Sequence, residues 1–427
     1  FVRQYYPGFP VAESLVMPFA SDDGFVSFDS PPPPAFGSVD LDFPDVACGR
    51  LPAMNVTEAR EMVAHAIAYA DAPEPGAWRN HVLMTADDVR RPSSPNGPAP
   101  GENAHTAEAE LLSRSYIPEG LDIGKIYGVD YPFPPASQVK PAARAAINDA
   151  LNAGTTVFYY VGHGAEDNLA DEQIFQSRDI ANLRNGMKRP LFLAFSCDVG
   201  VYDSPNRRSM AEQFLQYDSG GAIGAICASQ LSFSGYNNLI GNAYFANQFP
   251  GRHIDADLSA GSALILGKAE MSYQQARVNS QRFNLMGDPA LKLPHPVDDL
   301  TLSEVSVDTL RAGVRQTVVL GGSGKAMLGA GDTYRVRVQD SDVDKRYPIS
   351  IAVPPAEPAT SSWVEAGAPI FIGEGTMGTG DLVIPFRVPS QIRYGDRGRV
   401  RLVVETPDGD HVAVETLSAV RGSTGAV

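Results

Sequence analysis

Two stretches of sequence, TVFYYVGHG at residues 156–164 and PLFLAFSCD at residues 190–198, decide the fold class. Each contains an unbroken run of β-branched, aromatic and aliphatic residues, which is typical of a strand buried on both faces of a parallel sheet. A third run of this kind covers residues 222–228, and helical patterns at about 140–152 and 209–217 separate or flank the runs. Strands that alternate with helices predict an α/β domain with a doubly wound parallel sheet flanked by helices.

The same alternation begins upstream of these runs. Asn55, with Glu58 three residues later, can cap a helix that extends to about residue 70. Further predicted elements are a strand at 81–88, a helix at 106–115 and a strand at 125–129. The first forty residues are rich in Pro, Gly, Ser and Asp, which predicts irregular surface segments. Because Phe1 is not a natural start, we expect the chain to be a fragment.

The sequence pattern changes after about residue 296. Short alternating runs with frequent turn residues are typical of an all-β sandwich. The predicted strands lie at residues 333–338, 349–353, 382–388, 400–405 and 411–416. Asp408 and Gly409 have the chemistry of a hairpin turn between the last two. The predicted organisation is an α/β domain over residues 1–296 and an immunoglobulin-like β-sandwich over residues 297–427.

Composition excludes several classes of function. The chain has 34 Lys and Arg against 50 Asp and Glu, a net charge of -16, which disfavours nucleic acids and anionic membranes as partners. The three cysteines, Cys48, Cys197 and Cys227, fit neither a zinc site nor a disulfide framework, so at least one thiol is free. No apolar run has the length of a transmembrane segment. No pattern indicates an organic cofactor or a metal in the reacting site.

His163 and Cys197 end the two most apolar strands. The carboxyl ends of parallel strands meet at one edge of the sheet, where ligands of doubly wound folds bind. If the strands are neighbours, both side chains enter one crevice, and the imidazole can take the proton of the thiol. The backbone amides of Gly164 and Cys197 could then stabilise an oxyanion.

Each residue also has a simpler interpretation. A lone Cys at the end of an apolar strand is more often a small buried hydrophobe than a nucleophile. A lone His beside glycine is more often a turn residue. Their occurrence at equivalent strand ends favours the reacting pair, but the residues alone leave both interpretations open.

Several stretches together resemble the gingipain family of cysteine peptidases. These are the segment at residues 45–88, YYVGHGAEDNLADE at residues 159–172, LAFSCDVGVYDSPNRRSMAEQFL at residues 193–215, GGAIGAICAS at residues 220–229 and FNLMGDPALKL at residues 283–293. The resemblance covers most of residues 22–293. Within the family, the chain is most similar to the sortase-type peptidase of the bacterial type IX secretion system, because residues 368–395 resemble the β-rich region that follows its peptidase domain.

The resemblance implies a caspase-like fold and a secreted or cell-surface cysteine endopeptidase. It implies that His163 is the general base and Cys197 the nucleophile. An orienting residue upstream of the histidine is implied as well, and His105 and Glu108 are both candidates for it. The implied substrates are the C-terminal sorting domains of exported proteins, with outer-membrane secretion components as partners. A broad secreted endopeptidase and a non-catalytic surface-binding protein are the alternatives. Family members also begin with further strands and helices, so the resemblance implies that the domain is truncated at its N-terminus.

The remaining candidates have simpler interpretations. Asp130 lies near the place of a specificity acid in the family, but we expect it to be a solvated surface residue. The acid pairs at residues 22–23 and 87–88 could bind a structural calcium ion, although solvated loop acids are the simpler expectation. We expect Cys48 and Cys227 to be inert core residues.

Overall fold

A computed structural model describes residues 19–28, 44–88, 104–134, 137–254, 258–297, 300–302, 304–305, 309–321, 328–349 and 359–420. Within these ranges the chain forms two compact units, the first built mainly from residues up to 293 and the second mainly from residues 294 onward. The predicted irregular segments at residues 1–18 and 29–40, and most of the strand predicted at 349–353, lie outside the described residues.

The first unit alternates strands and helices. Its described strands are β1 (His81–Ala86), β2 (Asp122–Tyr127), β3 (Val157–Val161), β4 (Asn168–Leu169), β5 (Phe175–Gln176), β6 (Leu191–Phe195), β7 (Gly224–Ala228) and β8 (Phe283–Met286). Its described helices are α1 (Val56–Asp71), α2 (Ala104–Ser115), α3 (Pro141–Ala153), α4 (Ser177–Ile180), α5 (Met210–Gln216), α6 (Ser234–Gln248), α7 (Ala260–Ala269) and α8 (Gln274–Ser280). Short 3₁₀ turns occupy Asp23–Phe25, Ala77–Asn80, Gly128–Asp130 and Pro250–Arg252.

Six of these strands form one sheet in the order β2-β1-β3-β6-β7-β8. Strands β1, β3, β6 and β7 run parallel to one another, as predicted. Strand β8 pairs antiparallel with β7, so the sheet is mixed at this edge, which the sequence pattern did not indicate. The strand order reverses between β1 and β3, and this switch point is where doubly wound folds open a ligand crevice.

Helices cover both faces of this sheet. Successive strand residues point to opposite faces, and in β3 and β6 the residues on both faces are buried. On one face Phe158 of β3 packs against Phe214 of α5, with ring centroids 6.3 Å apart. On the other face Tyr159 packs against Phe245 of α6 at 5.7 Å and against Phe195 of β6 at 5.9 Å. All five side chains are buried. The continuous apolar runs of β3 and β6 are explained by this double coverage.

The N-terminal segment corrects two expectations. Phe19 is fully buried, so the prediction of a surface location is wrong there. Asp22 accepts a hydrogen bond of 3.0 Å from Nε of Arg50. Asp23 accepts one of 2.6 Å from Nζ of Lys268. Both acids are buried, and the expectation that they are solvated is therefore also wrong. Their basic partners are remote in sequence, which is why composition alone suggested a solvated loop.

The later part of the chain is all-β within the described residues. Its strands are β9 (Glu304–Val305), β10 (Thr309–Arg311), β11 (Arg315–Leu320), β12 (Thr333–Gln339), β13 (Val343–Ile349), β14 (Ala359–Glu365), β15 (Pro369–Thr376), β16 (Leu382–Arg387), β17 (Gly395–Thr406) and β18 (Gly409–Val420). They form a sheet in the order β10-β18-β17-β12-β15, a second sheet in the order β16-β11-β9, and the pair β13-β14. Val318 and Ile384 of the second sheet share one apolar core with Val336 and Leu402 of the first. The likeness to an immunoglobulin domain stays a prediction.

Candidate active site

The strand register brings His163 and Cys197 to the same place at the edge of the sheet. Strands β3 and β6 are adjacent and parallel, and their last paired residues are Val161 and Phe195. His163 and Cys197 each follow two residues later, so they occupy equivalent positions beyond neighbouring strands. The condition on which the sequence prediction depended, that the two strands are neighbours, is therefore met.

The loops that carry these two residues are bonded to each other. The hydroxyl of Ser196 donates a hydrogen bond of 2.7 Å to the carbonyl of Gly162. Gly164 lies so close to the other loop that a Cβ atom there would be 2.4 Å from Oγ of Ser196 and 2.8 Å from the carbonyl oxygen of Cys197. Only glycine fits at this contact without displacing one of the loops.

Asp87 holds the histidine loop from the side of β1. Its Oδ2 accepts a hydrogen bond of 3.0 Å from the backbone N–H of His163. Gly162 permits this approach, because it has φ +152° and a Cβ there would be 2.2 Å from Cβ of Asp87. On the other side, the carbonyl of His163 accepts bonds from the Tyr160 hydroxyl and from the N–H of Ala170 at 2.8 Å. Asp87 was not predicted to position the histidine, although it follows an apolar strand at the same sheet edge, the signal that identified His163.

Of the two candidate orienting residues, His105 contacts His163 and Glu108 contacts His105. The ring of His105 contacts the ring of His163 edge-on, with centroids 5.6 Å apart and an interplanar angle of 85°. Oε2 of Glu108 is 3.5 Å from Nδ1 of His105. The structure therefore arranges them in series, with Glu108 beside His105 and His105 beside His163, rather than as alternatives.

Cys197 is held by backbone and side-chain groups of Ser232. Its Sγ donates to the Ser232 carbonyl at 3.2 Å and accepts from the Ser232 N–H at 3.3 Å. Burial raises the pKa of the Cys197 thiol, whereas the Ser232 contacts and the charge of Arg282 oppose this shift. Asp198, next to the thiol, has φ +58°, a left-handed conformation that aspartate tolerates better than most residues. Burial and the nearby Glu166 raise the pKa of Asp198 to about 6.

A buried cluster of charges lies behind the histidine loop. Asp87, Asp88 and Glu172 each offer a carboxylate oxygen, and these oxygens lie within 4.8 Å of one another. Such a group could hold a hard cation such as calcium. Lys140 already donates to Asp88 and, at 2.8 Å, to the carbonyl of Gly128, and so supplies one positive charge to the cluster. Burial raises the pKa of Glu172 and lowers the pKa of Lys140. The expectation that Asp87 and Asp88 are solvated is wrong, because both are buried.

We expect Lys140→Met to destabilise the protein by about 3–5 kcal/mol, because it leaves buried carboxylates without their cation. Chemical denaturation of both proteins measures the change. Arg207→Met is the control, since Arg207 is 70% exposed in its pair with Glu166 and should contribute no more than about 1 kcal/mol. Equal, small losses in the two variants would show that the buried cluster does not depend on Lys140.

The other candidate residues lie outside this arrangement. Cys227 is buried in β7, and burial raises the pKa of its thiol. Cys48 is partly exposed, so the prediction that it is a core residue is wrong. It precedes a short parallel bridge between Arg50 and Met286, which leaves it at the edge of the sheet rather than within it. Asp130 is exposed, as expected.

Comparison with known proteins assigns the family. The sequence model of peptidase family C25 matches residues 4–294. The chain belongs to peptidase family C25. This C25 peptidase is a cysteine-type endopeptidase with a caspase-like α/β fold, as predicted. No curated protein sequence matches it significantly.

Solved gingipain structures share the fold of this C25 peptidase. The Arg-specific cysteine proteinase gingipain R (RGPB) aligns with a TM-score of 0.50 at 14% identity, over 94% of this chain and 79% of that chain. The complex of the pro- and mature domains of RgpB from Porphyromonas gingivalis aligns with a TM-score of 0.51 at 15% identity, over 94% of this chain and 81% of that chain. At such low identity the likeness concerns the fold. Within the described residues of this C25 peptidase, no helix is both long and apolar enough to cross a bilayer.

Proposed function

We propose that Cys197 is the nucleophile and His163 the general base of the peptidase. The observation that carries this proposal is the register of β3 and β6, which sets the two residues at equivalent positions of one sheet edge. His163 takes the proton of the thiol, and the sulfur attacks the carbonyl carbon of the scissile bond. Collapse of the tetrahedral intermediate breaks the C–N bond, and the protonated His163 gives its proton to the leaving amine. The acyl group then remains on Cys197 as a thioester.

The amides of Gly164 and Cys197 are the proposed oxyanion donors. The negative oxygen of the tetrahedral intermediate needs preorganised N–H groups in a site from which water is partly excluded. The close packing of Gly164 against the Cys197 carbonyl supports this assignment, because it brings the backbones of the two residues together. The proposed orienting group for the imidazole is His105, with Glu108 behind it.

We further propose that the substrates are C-terminal sorting domains of exported proteins, cleaved at the bacterial cell surface in association with outer-membrane secretion components. The likeness of residues 368–395 to the region that follows the peptidase domain of the sortase-type branch supports this proposal. A docking module can raise the effective concentration of a substrate, so that a peptidase with weak pocket selectivity becomes specific. The net charge of -16 disfavours anionic substrates.

A broad secreted endopeptidase is the second candidate. It is compatible with membership of peptidase family C25 and with the gingipain-like fold. Both candidates form the same acyl-enzyme, and they differ in the substrate that reaches it and in the nucleophile that releases it.

One experiment distinguishes the two candidate functions by giving the full-length enzyme two protein substrates, with either water or a glycine peptide as the acceptor of the acyl group. A protein carrying a sorting domain and an unrelated unfolded protein are incubated with the enzyme, with and without a high concentration of an amino-terminated glycine peptide. Mass spectrometry identifies the products. We expect selective cleavage of the sorting domain and an amide-linked product with the glycine peptide. Purely hydrolysed products, formed equally fast from both proteins, would instead support the broad endopeptidase.

A further inference from the structure

Three buried polar side chains form a chain of hydrogen bonds that ends at the sulfur of Cys197. Ser232 follows β7, Asn237 lies in α6 and Asn279 lies in α8. All three are buried, and two are asparagines, which have a low propensity for helix interiors. The cysteine chemistry described above assigns no role to Asn237 or Asn279.

The donor and acceptor of each hydrogen bond in this series follow from the bond farthest from Cys197. The N–H of Phe233, which can only donate, bonds Oδ1 of Asn279 at 3.0 Å. The amide nitrogen of Asn279 therefore donates to Oδ1 of Asn237, at 2.9 Å. By the same logic the amide nitrogen of Asn237 donates to Oγ of Ser232, at 2.8 Å. The Ser232 oxygen is thus an acceptor for Asn237, and its own hydrogen remains available for another partner.

That partner is the sulfur of Cys197. Oγ of Ser232 lies 3.8 Å from Sγ, and the Ser232 N–H lies 3.3 Å from it. A thiol can donate to the Ser232 carbonyl, but a thiolate can only accept, so deprotonation leaves the hydroxyl and the N–H as its two donors. Hydrogen bonds to a charged acceptor are stronger than those to a neutral one. These two donors therefore stabilise the charged form of the sulfur and oppose the effect of burial on its pKa.

We propose that Ser232, Asn237 and Asn279 form a hydrogen-bond relay that holds the Ser232 hydroxyl as a donor to Cys197 and stabilises its thiolate. Asn237 and Asn279 act through Ser232 and are positioning residues. The effect of the relay on catalysis rests on the proposed function, in which Cys197 is the nucleophile. The chemical content of the relay, a donor that favours the thiolate, is independent of that assignment.

Other charged groups also face the sulfur and must stay constant in a test. The adjacent Asp198 raises the pKa of the Cys197 thiol, and Arg282 lowers it. Glu166 acts on Asp198, and His163 lies at the neighbouring strand end. Uncharged substitutions in the relay leave all four groups in place, so that a change in the titration of Cys197 reports the relay.

The test is the pH dependence of the alkylation of Cys197 by iodoacetamide, followed by peptide-resolved mass spectrometry, because the thiolate is the form that reacts. In Ser232→Ala and in Asn237→Leu we expect the midpoint to rise by about one pH unit, the size of a charge-assisted hydrogen bond. Ser232→Thr, which keeps the hydroxyl, should stay near the wild type. In the double variant Ser232→Ala/Asn237→Leu the shift should not exceed that of Ser232→Ala alone, because Asn237 acts through the hydroxyl.

A matched control lies in the same helix as Asn237. Gln248 is buried in α6 and accepts a hydrogen bond of 3.0 Å from the hydroxyl of Tyr244, so Gln248→Leu removes a buried polar contact unrelated to the sulfur. Its alkylation midpoint should equal that of the wild type. Asn237→Ala, which adds no bulk, carries the same expectation as Asn237→Leu if the latter does not fold.

The relay is overturned if folded Asn237→Leu or Asn237→Ala keeps the wild-type midpoint, or if the shifts of the two single variants add in the double variant. This outcome is distinct from failure of the proposed function. Peptidase activity that survives in Cys197→Ala would reject the proposed nucleophile, whereas the alkylation profile would still report the relay.

Discussion

Replacing Cys197 with alanine is expected to lower kcat/KM for peptide cleavage by about 10⁴-fold or more, because no other described group at this edge can form the thioester. The fold should survive. The sulfur lies beyond the end of β6, and its removal deletes its hydrogen bonds with Ser232. We therefore expect the melting temperature to change by no more than about 4 °C. Initial rates with a fluorogenic peptide and a thermal melt of the same sample measure both quantities.

Cys227→Ala is the matched control for this variant. Cys227 is a buried core residue of β7, and it pairs with Ala194 of the adjacent strand β6. Its truncation should cost about 1 kcal/mol of stability or more through the lost packing, while the folded fraction keeps its activity. Loss of activity in Cys227→Ala with retention in Cys197→Ala would reverse the assignment of the nucleophile.

Replacing His163 with alanine is expected to lower kcat/KM by about 10³-fold, since general acid and base catalysis by a positioned side chain contributes on this scale. The loss should appear mainly in kcat, because the role proposed for His163 is proton transfer and not binding of the substrate backbone. Its loop should keep its shape, because the hydrogen bonds with Asp87, Tyr160 and Ala170 are made by the backbone of His163.

The neighbouring His105 provides the comparison for His163. His105→Gln should reduce kcat/KM by only about tenfold, because this buried ring contacts the His163 ring edge-on and its proposed role is to position that imidazole. Steady-state kinetics of both variants in parallel measure the contrast. Equal losses in the two variants would contradict a distinct role for His163 as the base.

The central strands could be predicted from sequence because their signal is local. Strands β3 and β6 were predicted to within one residue, since a run buried on both faces is apolar at every position. The prediction for β2 was displaced by a few residues, because this strand is only half buried at its start and contains a glycine. The antiparallel direction of β8 has no counterpart in its residue pattern. It depends on how the chain returns to β7 after three helices.

The site residues that directly follow strands could be predicted from the sequence. Those that reach the site through the packing of distant elements could not. His163 and Cys197 follow apolar runs, and their pairing required only the adjacency of two strands. Asp87 gives a similar signal after β1, but its bond to the His163 backbone spans 76 positions. Ser232, Asn237 and Asn279 lie between 35 and 82 positions beyond Cys197 and resemble ordinary loop and helix residues in the sequence. The approach of α6, α8 and the segment after β7 to one sulfur is decided by packing.

The most direct test of the Cys197–His163 pair is covalent labelling with a peptidyl acyloxymethyl ketone, a probe that alkylates an activated thiolate after binding as a substrate does. Intact mass and peptide mapping of the full-length protein locate the adduct. We predict one adduct per chain on Cys197, none in Cys197→Ala, and labelling slowed at least about 100-fold in His163→Ala. An adduct on Cys48, or undiminished labelling of Cys197 in His163→Ala, would contradict the proposed catalytic pair.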